Sequence, residues 1–65
     1  MNSDCVPMEI PAWQLRQSDN LILDGLAFEI ISILRGGELV HVVLDAEPFR
    51  LRRSFQAAEH LEIAR

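Results

Sequence analysis

The sequence predicts an all-β domain, a small five-stranded SH3-like barrel with one short helical turn before the last strand, on three observations. Two glycine-bearing turns, Asp24-Gly25 and Gly36-Gly37, separate runs rich in β-branched and aromatic residues. Turn signals recur every 8 to 12 residues or so, the rhythm of a small barrel or sandwich. No stretch has a helical pattern long enough for the crossover that parallel strands require. A chain of 65 residues holds one domain, and short strands in so small a domain can hide their edges by wrapping on themselves.

Residues 1–9 mix polar side chains with Pro7 and show no period. They are expected to form a flexible lead-in to a domain spanning residues 10–65. Pro11 favours an extended or turn conformation at Ile10 and suits the first position of a helical turn over residues 11–16. Trp13 and Leu15 would anchor that turn. Trp13 reads either as a core or barrel-capping residue or as an aromatic contact platform.

Residues 20–24 form the first strand, and Asp24-Gly25 supplies a hairpin because Gly adopts positive φ at low cost. The second strand, residues 27–34, breaks alternation at Ile30-Ile31, which predicts a bulge or burial on both faces. Arg35-Gly36-Gly37 turns the chain into a third strand over residues 38–45. There Val40, Val42 and Leu44 share one face, while Leu39, His41 and Val43 share the other. Pro48 ends that run. The fourth strand, residues 49–55, sets Phe49, Leu51, Arg53 and Phe55 against Arg50, Arg52 and Ser54. Residues 56–60 predict the helical turn, and Leu61 and Ile63 alternate with Glu62 in the last strand.

Hydrophobic residues make up 49% of the chain, more than a disordered segment carries. The net charge is -4, which counts against nucleic-acid binding as the dominant role, since neutralising phosphates leaves a basic footprint. The basic residues are all Arg. Cys5 is the single cysteine, so an intramolecular disulfide and a thiol-rich metal site are excluded, and it is expected to be a free thiol in the lead-in. No apolar run approaches the 20 or so residues that span a membrane. The N-terminus lacks the pattern of a signal peptide, so a cytoplasmic location is expected.

The stretch from Pro11 to Ala64 carries three motifs. These are Leu15-Arg16-Gln17-Ser18, then Asp24-Gly25-Leu26-Ala27-Phe28-Glu29-Ile30, then Arg53-Ser54-Phe55 followed by Glu59, Leu61 and Glu62. In order and spacing they resemble the N-terminal KOW-like barrel of the elongation factor P family, with its Leu-Arg-x-Gly, Asp-Gly-x-x-aromatic-x-Val and Arg-Thr-Phe-x-x-x-Glu segments. The resemblance implies an SH3-like barrel of a kind used to bind RNA or protein. It does not carry the family's ribosomal function. The family's longer loop bears a Lys directed at transfer RNA, and here Arg35-Gly36-Gly37 stands in its place with no Lys.

His41 and His60 are the only histidines, and neither falls in a triad or a metal-ligand spacing. His41 is expected to face solvent on its strand and His60 to end the helical turn. No phosphate loop or nucleophile elbow is present. The expectation is a non-catalytic protein without cofactor or metal. Arg50 and Arg52 project from one strand face roughly 7 Å apart, where they could bridge phosphates or acidic side chains. Alternatively they pair with Glu38 and Glu62 for about 0.2–1 kcal/mol each. Arg53 shares its face with Leu51 and Phe55 and is expected to extend its head to the rim. Leu39 and Val43 beside His41 form an apolar outer patch.

The candidate interaction surface is therefore Arg35, Leu39, His41, Val43, Arg50 and Arg52, with Trp13 as an aromatic contact. The leading expectation is a small adaptor or regulatory module that binds a protein partner, of a size that fits a phage or mobile-element product. The alternatives are RNA or DNA binding through Arg35, Arg50 and Arg52, and a structural subunit of a homo-oligomer. No membrane partner is expected.

Overall fold

The computed structural model of the chain describes residues 7–64. Six antiparallel strands form one open sheet: β1 (Pro7–Pro11), β2 (Asn20–Leu23), β3 (Leu26–Gly36), β4 (Leu39–Ala46), β5 (Phe49–Gln56) and β6 (His60–Ala64). Their spatial order is β1-β6-β2-β3-β4-β5. The all-β class is as the sequence predicts, with three corrections to its detail.

The strand count is six, because Pro7–Pro11 pairs with β6 from Pro7↔Ala64 to Pro11↔His60. Part of the expected lead-in is thus strand, and its remainder, with Cys5, lies outside the described residues. Alternation of Met8 and Ile10 was masked there by flanking prolines. Second, the order is linear, so β1 and β5 are edges and the sheet does not close into a barrel. Third, of the two helical turns expected, the one over residues 11–16 forms as a single 3₁₀ turn at Ala12–Gln14, and the one over residues 56–60 does not form. The segment before β6 is a tight turn in which Glu59 N–H donates to Gln56 O, which leaves His60 as the first residue of β6. Ala57 spends its N–H on Glu38 O, which prolongs the β4–β5 ladder instead of opening a helix.

Turn chemistry follows the sequence. Leu23 and Leu26 close the β2–β3 hairpin around Asp24 (φ 52°) and Gly25 (φ 79°), the paired positive φ of a type I′ turn. Gly36 pairs with Leu39, so the next loop is Gly37-Glu38, with Gly37 at φ 61°. Ala46 pairs with Phe49 across the third two-residue loop, and its Glu47–Pro48 peptide is cis.

β3 organises the molecule. Leu26–Glu29 pairs with β2, and Ile30–Gly36 pairs with β4. The register shifts between Ile30 and Ser32, leaving Ile31 as the extra residue of a bulge. Bulges bend a strand and raise its twist, which lets one strand serve both halves of the sheet. The core lies between these halves: Ile10, Ala12, Leu15, Leu21, Ile30, Val40, Val42, Leu44, Leu61 and Ile63 are buried together. Phe28, Leu51 and Phe55 pack against this cluster from its margins.

Candidate interaction surface

Antiparallel pairing places cross-strand partners on one face. With Val40, Val42 and Leu44 turned to the core, the outer face of β3–β4–β5 is fixed by register. Ser32, Val43 and Arg52 form one row, and Leu34, His41 and Ser54 form the next. Leu39 pairs with Gln56 beyond them, and Asp45 with Arg50 at the opposite end. The first two rows line a shallow depression of about 400 Å³.

Leu34 is 69% exposed and Leu39 is 42% exposed, so apolar surface lies open on this face. His41 is half-buried between them, and its Nδ1 lies 2.7 Å from Ser54 Oγ across the β4–β5 ladder. This hydrogen bond holds the imidazole ring against the sheet. Arg52 stands opposite Val43, and Arg50 opposite Asp45. The expected pairing with Glu38 and Glu62 is not formed. Glu38 lies in the β3–β4 loop, and Glu62 sits opposite Glu9 on the far half of the sheet. Among the described residues neither Arg50 nor Arg52 forms an ion pair; the pair within reach is His60 Nδ1–Glu9 Oε1 at 3.9 Å.

Arg35 and Trp13 belong elsewhere. Arg35 pairs with Val40, a core-facing position, and its guanidinium reaches the 3₁₀ turn. There Nη2 donates to Leu15 O at 2.5 Å and Nε to Trp13 O at 3.3 Å. Trp13 is 53% exposed, so Leu15, fully buried, is the anchor of that turn. The structure thus gathers Leu39, His41, Val43, Arg50 and Arg52 on one face and separates Arg35 and Trp13 from them. Sequence reasoning missed Leu34, which had been assigned only to a strand; its register partner His41 follows once the Ile31 bulge is counted.

Comparison with protein families, curated proteins and solved structures finds no match to this chain. No helix among the described residues is long and apolar enough to cross a membrane. Among them there is also no group of three or more His, Cys, Asp or Glu side chains placed to hold a metal ion.

Proposed function

We propose that the chain is a non-catalytic protein-binding module on an SH3-like scaffold, acting through the outer face of β3–β4–β5. The observation that carries this reading is the open apolar surface of Leu34 and Leu39 beside the half-buried Val43, flanked by Arg50 and Arg52. Clustered apolar side chains rimmed by charge are typical of protein contact sites. The scaffold assignment draws support from Ser18, whose φ of 79° falls where the Leu-Arg-x-Gly motif has glycine. It draws further support from the bulged strand shared by two half-sheets. The cytoplasm is the compartment expected for such a module.

The experiment is capture from cell extract by the tagged chain and by Leu34→Asp, a substitution at an exposed position that leaves the core untouched. A partner retained by the parent and lost by the variant fits the reading; equal recovery by both overturns it. The alternative, RNA or DNA binding, rests on Arg50 and Arg52 forming no ion pair among the described residues. It predicts oligonucleotide affinity that falls steeply with salt and with Arg52→Ala. A homo-oligomeric structural role predicts sedimentation that changes with concentration.

A further inference from the structure

The two edges of the sheet differ in what they offer another strand. In an antiparallel ladder, backbone groups point alternately toward and away from the neighbour. At β1, Ala12 N–H donates to Glu59 O, so Ile10 and Met8 face β6 while Pro7, Glu9 and Pro11 face outward. Two of those three outward positions are prolines, which have no N–H. The β1 edge is therefore blunted, as natural edge strands often are.

At β5 the alternation runs from Ala57, whose N–H donates to Glu38 O. Phe55, Arg53 and Leu51 face β4, and Arg50, Arg52, Ser54 and Gln56 face outward. Gln56 is engaged locally, its N–H with Glu59 Oε1 at 3.4 Å and its C=O with Glu59 N–H. Arg50, Arg52 and Ser54 each still present one N–H and one C=O along an edge without proline. Side chains define what fits there. The outer face carries Arg50 and Arg52, and the inner face carries Leu51 and Phe49, which is 74% exposed. A second β5 is a poor occupant, because it would set arginines against arginines. A second β1 is also poor, because it offers Glu9 alone as an outward donor.

We infer that the open edge of β5 accepts an extended acidic–apolar segment of a partner protein, added antiparallel as a seventh strand. Its carboxylates lie opposite Arg50 and Arg52, and its apolar side chains cover Leu51 and Phe49. This inference rests on the protein-binding reading above and adds the mode and the chemistry of the partner. Strand addition takes affinity from main-chain hydrogen bonds and specificity from alternate side chains, and charge complementarity fixes the register.

The test uses the full chain, labelled with nitrogen-15, and a terminally blocked nonapeptide of alternating Glu and Val. Binding should shift and protect the amides of Arg50, Arg52 and Ser54. It should weaken about tenfold or more in Arg52→Glu or Arg50→Glu, charge reversals at exposed positions. Two N-methylated peptides decide the mode. Methylation of the Glu amides, which face β5, should abolish binding, and methylation of the Val amides, which face away, should be tolerated. Equal tolerance of both, or no binding at millimolar peptide, overturns the inference. Binding lost in Leu34→Asp yet indifferent to both methylations overturns strand addition while leaving the outer face as the site. Saturation of Arg50 and Arg52 by single-stranded oligouridylate with no response to the peptide overturns it in favour of nucleic acid.

Discussion

Replacing Ser18 with glycine should stabilise the protein. Ser18 holds a φ of 79° between the 3₁₀ turn and β2. Its backbone N–H donates to Ile30 O at 2.9 Å, and the next residue's N–H closes a turn onto Arg16 O at 3.1 Å. Those bonds hold the left-handed conformation in place. For a residue with a Cβ that conformation costs on the order of 1–2 kcal/mol. Glycine removes this cost but gives up about 0.5–1 kcal/mol through the greater freedom of its unfolded chain. At the middle of both ranges the difference is a gain of about 0.75 kcal/mol, or about 3–6 °C in Tm for a domain of this size. Ser18→Ala keeps the Cβ and should lie within about 0.5 kcal/mol of the parent. Ser18→Val, β-branched at positive φ, should lose about 1 kcal/mol or more. Urea and thermal unfolding followed by circular dichroism give all three values. A glycine variant no more stable than the alanine variant would refute the backbone argument and assign the position to the serine hydroxyl.

Other substitutions probe separate parts of the fold. Leu44→Ala empties a fully buried position and should cost about 2–5 kcal/mol. Against a total stability of roughly 3–10 kcal/mol for a chain of this length, the amide spectrum should show a substantial unfolded population. Arg35→Met removes the bonds to Trp13 O and Leu15 O. It should cost about 1–2 kcal/mol, discounted for exposure, and alter Trp13 fluorescence; Arg50→Ala, exposed and in no ion pair among the described residues, should change stability by less than about 0.5 kcal/mol. Gly37→Ala should destabilise by about 1 kcal/mol because of its φ of 61°. Gly36→Ala, in ordinary strand conformation with open space around its Cβ, should be neutral or slightly stabilising in the same denaturation assay.

Much of the fold was legible from punctuation and alternation. Asp24-Gly25 announced its turn because few other pairs tolerate two positive φ values in succession. Val40, Val42 and Leu44 announced the core face of β4 by period two, and Ile30-Ile31 announced the bulge by breaking that period. What stayed hidden depends on partners distant in sequence. Pro7–Pro11 resembles a linker until β6 lies beside it, since Met8 and Ile10 alone are too few for a pattern. Ser18 by residue type gives no sign of its left-handed backbone, which Ile30 and Arg16 hold in place; the one hint is the glycine at that place in the Leu-Arg-x-Gly motif it resembles. The candidate surface split for the same reason. Leu39, His41, Val43, Arg50 and Arg52 were grouped by strand parity, which survives folding. Arg35 lies at the end of β3, where its side chain found two carbonyls of the 3₁₀ turn.

The placement of proline and arginine along the two edges carries the functional reading further than charge alone. Arginine in an edge strand is by itself a device against aggregation, and Arg53, turned inward opposite Val42 yet exposed, fits that role. If protection were all that selection required, the same solution would serve both edges. Instead, β1 deletes donors at two of its outward positions, while β5 keeps those of Arg50, Arg52 and Ser54 and relies on charge. Removing donors weakens pairing with any strand, whereas positive charge disfavours cationic strands and favours those that carry carboxylates. An edge guarded by charge is therefore selective where an edge guarded by proline is blunted toward all strands. The exposure of Phe49 at the head of β5 points the same way, since a purely protective edge has no use for an uncovered aromatic ring.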